Sequence, residues 1–139
     1  MKIRHLFVFA IVLALTIVAS SCDKDKAVAK KMTGKWTLSS LSYRDTDHED
    51  WTDSITADAN LSIELCSDGT YTTYIAGVAD RTGNWSYHGG MLYLRNETTN
   101  ISCTVDECTK TYMEWFARSE KWHESELAYW REEMWTWKK

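Results

Sequence analysis

A block of carboxylates, two loop histidines and four cysteines are the side chains in this chain whose types and spacing could do chemistry. Asp45–Asp53 reads DTDHEDWTD. Asp45, Asp47 and Glu49 begin it as a calcium loop would, but Asp50 stands where such a loop needs Gly and Thr56 where it needs Glu. A solvated acidic loop fits the pattern better. His48 and His123 fall on long connections expected at one end of the fold. With Glu49 or Glu124 they could hold a transition metal, the alternative being two ordinary surface histidines. His88-Gly89-Gly90 could offer backbone N–H groups to an oxyanion, yet no G-x-S-x-G nucleophile elbow exists, so it reads as a hairpin turn. Neither a Cys–His pairing nor a carboxylate pair stands out. No enzyme is expected, and no cofactor or metal.

The cysteines divide by position. Cys66, Cys103 and Cys108 are too few and too widely spaced for a disulfide scaffold, and no C-x-x-C pair suggests zinc. Cys103 shares parity with Ile101 and Val105 and is expected to face inward. Cys66 and Cys108 have outward parity, so a bridge between them is disfavoured and three free thiols are expected.

Cys22 belongs to a different setting. Lys2 and Arg4 precede the apolar run Leu6–Val18, and Ala19, Ser20 and Ser21 are small. That order is a secretory signal, and its 13 apolar-run residues fall short of the roughly 20 needed to span a bilayer. A lone Cys after the small residues, followed by DKDK, resembles the lipobox of bacterial lipoproteins, with Ala19 where the family usually has Leu. The resemblance implies a signal at residues 1–21, acylation of Cys22, a tether over 22–31 and a place on the outer membrane. Plain signal-peptidase cleavage at the same bond is the alternative. From Cys22 onward, 14 basic face 20 acidic side chains, a formal charge of −6. That balance argues against nucleic acid or an anionic bilayer as the partner.

The elements that position these residues come from punctuation. Short alternating stretches lie between Gly, Asn, Asp and Ser breaks, with no Pro. Strands are expected over 34–43, 60–66, 70–76, 83–87, 91–95, 101–108, 112–118 and 131–138. In the first, the apolar parity slips from Trp36 and Leu38 to Leu41 and Tyr43, which places a bulge near Ser39–Ser40. Ser67–Gly69, His88–Gly90 and Thr109–Thr111 are tight turns. Residues 44–59, 77–82, 96–100 and 119–130 are longer connections, the last with helix formers that allow a short helix before the final strand. Alternate connections of a meander fall at opposite ends. The pattern therefore predicts an all-β domain over 32–139, an eight-stranded antiparallel up-and-down barrel with one short-looped end.

MTGKWTLSS resembles the G-x-W opening of lipocalins. The lipobox, TGKW, LSIELCSDGTYTTY and TGNWSYHGGMLYL in this order resemble the small lipocalin-like lipoproteins of Gram-negative gut bacteria. The resemblance implies that Gly34 and Trp36 close one end of the barrel. It also implies that a basic residue of the last strand packs across Trp36, a role Arg131 could take. TGNW repeats TGKW without a shared continuation, so no duplication is inferred; Gly83 would start its strand from the long-loop end and put Trp85 near the mouth. Trp51, Trp85 and Trp122 would then form an aromatic rim, or simply pack loops onto the barrel. Asp53-Ser54-Ile55 resembles a bacterial O-glycosylation acceptor, and Asn84, Asn96 and Asn100 head N-x-S/T triplets of little weight here. Two functions remain open: a barrel binding a small apolar or amphipathic ligand, or a filled barrel whose loops dock another envelope protein. Eight Trp and seven Tyr could line a cavity or fill it.

Overall fold

The computed structural model describes residues 22–55 and 60–139; the signal segment at 1–21 lies outside them. Residues 22–32 form a helix, α1, where a bare tether was expected. Its composition explains it. Ala27 and Ala29 favour it, and Lys30 and Lys31 stand in its last turn, matched to the helix dipole. Val28 and Met32, one turn apart, pack onto the domain, and Met32 is fully buried.

Nine strands follow among the described residues: β1 (Gly34–Asp45), β2 (Thr52–Ile55), β3 (Leu61–Leu65), β4 (Thr70–Ile75), β5 (Val78–His88), β6 (Met91–Arg95), β7 (Asn100–Cys108), β8 (Tyr112–His123) and β9 (Glu126–Lys138). Neighbours in sequence pair antiparallel from β3 to β9, and β9 returns to β1 over Thr37–Asp45, closing an eight-stranded barrel. β1 pairs with β3 through Gly34–Thr37, while the short β2 covers Leu41–Tyr43 on the same side. The register slips between Leu38 and Ser40, where the parity slip predicted a bulge.

The three expected tight turns gather at one end, together with α1 and the start of β1. At the other end two connections are far shorter than the sequence implied. Ala76 and Gly77 turn in two residues with φ of 51° and 78°, so β5 begins at Val78 rather than Gly83. Glu124 and Ser125 do the same with φ of 47° and 73°. Consequently 119–130 is neither loop nor helix. It is the tip of a long β8–β9 hairpin, held by ladder pairs from Ser119↔Arg131 to His123↔Glu126. Cross-strand contacts such as Lys121 over Tyr129 outweigh the helix propensity of those residues.

Trp36, Leu38, Leu41, Ile63, Leu65, Leu92, Met113 and Trp137 form the heart of the core. Gly83 lies inside β5, where a Cβ would run into the Arg95 carbonyl oxygen and the Tyr71 ring. It is a place where β5 lies tight against the end of β6 and the Tyr71 ring of β4, not a strand start. Cys108 also departs from its expected parity. The register shift between Val105 and Glu107 turns it back toward the core, opposite the buried Met113.

Candidate functional site

The closed end is built around Trp36. Its indole N–H donates to the Met32 carbonyl at 2.6 Å, satisfying one of the free acceptors at the end of α1. The Lys139 ammonium sits 4.5 Å from the ring centroid and donates to the Thr33 and Lys31 carbonyls. The basic residue across the first Trp is therefore Lys139. Arg131 lies at the other end, 4.2 Å over the Tyr43 ring, because Asp45↔Arg131 is the last pair of the β1–β9 ladder.

Trp85 is also at the closed end. Its indole N–H donates to the Cys66 carbonyl at 2.8 Å and its backbone N–H to Gly69, both at the β3–β4 turn. Placing it at the mouth followed from starting the strand at Gly83; with β5 starting at Val78, Trp85 is carried to the far end. Trp51 and Trp122 do lie toward the open end, 43% and 61% exposed, but apart. Trp51 covers the Arg44 guanidinium, whereas Trp122 rides on the projecting hairpin and bonds Glu120. The three-tryptophan rim is not assembled.

A cavity of about 370 Å³ occupies the barrel interior. Its wall includes Leu61, Ile63, Leu94 and Cys103 with the aromatic group Trp115, Trp135 and Trp137. Trp137 stacks on Trp135 at 5.9 Å and meets Trp115 at 4.7 Å. The size falls at the lower end of small-molecule sites, room for about a dozen water volumes. A larger cleft of about 970 Å³ lies outside, between Asp80–Asn84 and Arg95–Thr99. It arises because β5 and β6 pair only over Asn84–His88 and then diverge. It is shallow and polar, so the interior cavity is the better candidate for a binding site. A third recess of about 290 Å³ separates the upper parts of β7 and β8. The interior cavity shares Asp80 and Arg81 with the first cleft and Ile101, Ala117 and Glu133 with the second. The β6–β7 hairpin thus stands between two gaps in the wall.

Alternate residues of β9 line the interior as a graded ladder. Trp135 donates to Glu133 at 3.1 Å, and Arg131 donates to Glu133 at 2.7 Å and approaches Asp45 at 3.7 Å. Tyr129 donates to the same Asp45. Polarity therefore rises from the Trp137 level toward the mouth. The indole N–H groups of Trp115 and Trp137 are buried without a hydrogen-bond partner among the described residues. An acceptor from water or a ligand would satisfy them. Burial, with the Glu133 charge added, pushes the Cys103 thiol up to about 11, which keeps it protonated and unreactive.

On the outer face Glu132 is 6% exposed and is gripped by Arg44 and Arg118, each at 2.6 Å. Burial alone would raise its carboxyl, but these two hydrogen bonds outweigh that and hold it below the ordinary value of 4.5. Trp51 covers one arginine and Trp130 the other. Trp130 was read only as a loop end, and the pairing became visible once the hairpin register was known. Asp45, in the loop considered for calcium, instead accepts from the Asp47 and His48 backbone and from the His48 ring at 3.1 Å. His123 is far out on the hairpin, so the two histidines do not meet. No group of three metal-ligating side chains occurs among the described residues. His88 bonds Asp25 of α1 at 3.0 Å. The four cysteines are all unpaired, with Cys22 exposed.

The fold is thus that of a closed antiparallel β-barrel with an interior cavity, consistent with a lipocalin-like barrel. No family model matches the chain, and no curated protein matches it.

Proposed function

We propose that this chain is a cell-envelope lipoprotein, acylated at Cys22 and held on the outer membrane, whose lipocalin-like barrel binds a small apolar or amphipathic ligand. The observation that carries the ligand part is the interior cavity of about 370 Å³ with its aromatic and aliphatic wall. A filled barrel would have favoured the interaction reading instead. The polarity gradient along β9 suits a ligand with an apolar body set deep and a polar group toward Glu133 and Arg131. The reading assigns no catalytic step. The exposed Cys22 on α1 is compatible with acylation.

Titration with a fluorescent fatty-acid-like probe tests the ligand part. Wild-type protein is expected to bind it, and Ala117→Phe, which places a ring in the cavity, to lose at least tenfold in affinity. Equal binding by both proteins would place the probe elsewhere, and no binding by wild type would remove the reading. Intact mass of the membrane fraction tests the anchor, since an unmodified Cys22 thiol there would sink it.

One observation favours the alternative of docking to an envelope protein. The β8–β9 hairpin projects beyond the barrel with Trp122 and Leu127 exposed, 61% and 40%, as a cross-strand pair. Loss of a partner on truncating this tip, with probe binding intact, would support it.

A further inference from the structure

The two kinds of basic side chain are segregated along the barrel axis. From Cys22 onward there are nine lysines and five arginines. Four lysines, Lys24, Lys26, Lys30 and Lys31, are exposed on α1, which lies across the closed end. Lys35 enters β1 there, Lys110 sits in the β7–β8 turn, and Lys138 and Lys139 finish β9. Only Lys121 is elsewhere, near the tip of the projecting hairpin. All five arginines lie in the open half.

They also differ in how they are used. Arg44, Arg81, Arg118 and Arg131 are paired with carboxylates, and Arg95 lies over Tyr93. Among the described residues no lysine ammonium lies within ion-pair distance of a carboxylate. The closed end therefore sets eight lysines, none of them paired with a carboxylate among the described residues, against Asp23, Asp25, Glu64 and Asp68. Asp25 is engaged by His88 and the Gly89 N–H. Counting Asp106, Glu107 and Glu114, one step higher, makes seven carboxylates against the eight lysines, a balance still positive by one. Among the described residues, twelve carboxylates at the open end, five over Asp45–Asp53, five over Glu120–Glu133, with Asp80 and Glu97, face six cations. A net charge of −6 thus hides a strong dipole.

From this segregation we propose that the closed end is a docking face for an anionic lipid surface, which holds the barrel with its mouth turned away from the membrane. Charge complementarity is the warrant. Each lysine brought near an anionic leaflet raises partition about fivefold, and the acidic open end is repelled by the same surface. α1, which carries Cys22, belongs to the basic end, so an acyl chain there and the lysines would act on one face. One chain alone anchors weakly and a polybasic patch supplies the second signal. The charge argument stands without acylation, and its test is chosen to be independent of it.

Acetylation footprinting of the full chain provides that test, read lysine by lysine by mass spectrometry. Vesicles of phosphatidylcholine alone are compared with vesicles half phosphatidylglycerol. Anionic vesicles are expected to protect the eight closed-end lysines several-fold beyond the neutral ones and to leave Lys121 unchanged. Raising salt to 1 M, where the Debye length is about 3 Å, should abolish the difference. Combined Lys24→Gln, Lys26→Gln, Lys30→Gln and Lys31→Gln, all at exposed positions, should lower the anionic increment in partition at least tenfold. Protection of Lys121 equal to the others, no anionic increment, or an unchanged increment in the fourfold variant would each overturn the proposal. A soluble-chain failure here would leave the cavity reading and the Cys22 mass measurement untouched.

Discussion

The closed and open ends of this barrel solve opposite problems with the same kinds of residue. At the closed end tryptophan is tied to backbone, the buried Trp36 to Met32 and the half-buried Trp85 to Cys66. At the open end tryptophan covers charge: Trp51 lies over Arg44 and Trp130 over Arg118. The first arrangement removes apolar area and fills the barrel's base. The second shields the Arg44–Glu132–Arg118 bridge from water, where exposed ion pairs contribute little. Aromatic count alone therefore does not tell a plug from a lid; the hydrogen-bond partner of each indole does.

The comparison can be broken most easily at Trp36. Trp36→Ala should cost about 3–5 kcal/mol in denaturant unfolding, because a buried indole and its bond to α1 are lost together. A cost below about 1 kcal/mol would mean that the closed end is not a plug. Gly83→Ala comes next, at about 1–3 kcal/mol, since the added methyl forces Arg95 and Tyr71 to move. A neutral result would show that β5 and β6 do not approach closely there.

Glu132→Gln should cost about 1–2 kcal/mol at neutral pH, as two charge-assisted bonds weaken while both arginines stay partly hydrated. Its sign with pH is fixed by the lowered carboxyl. The stabilisation is complete above the ordinary glutamate value of 4.5 and is lost as pH falls through the still lower folded value. Wild type and Glu132→Gln should thus converge in stability on acidification; a constant gap down to pH 2 would refute the bridge. Trp122→Ala is the smallest change, within about 0.5 kcal/mol, because the ring is largely in solvent. A larger loss would reveal a contact that the hairpin makes and the fold does not explain.

What could be read from sequence follows how local the determinant is. The turns at Ser67–Gly69 and His88–Gly90 were legible because Gly69, Gly89 and Gly90 adopt positive φ with no Cβ to clash. Ala76, Glu124 and Ser125 take the same left-handed conformation, which residues of these types rarely adopt, so both of these open-end turns were read as long connections. That error moved Trp85 by the length of the barrel. The bulge after Trp36 was legible, because the parity slip that announces it is local. The cavity could not be read at all. Whether Trp115, Trp135 and Trp137 fill the interior or line it depends on how they lean on one another across two strands. Cys108 fell to a bulge that no residue type announces.

One feature of the closure bears on how the molecule is made. β1 is the first strand, yet along Thr37–Asp45 it waits for the last, with Thr37 meeting Lys138 about a hundred residues later. That junction has nearly the largest sequence separation the domain allows, and such contacts slow folding to milliseconds or seconds. Until β9 exists, one flank of β1 is an open edge that another chain could occupy. During synthesis the early hairpins can form in order, but the barrel cannot shut before its C-terminal strand has emerged. Concentration during refolding should therefore decide between monomer and strand-exchanged assembly more sharply than any single side chain does.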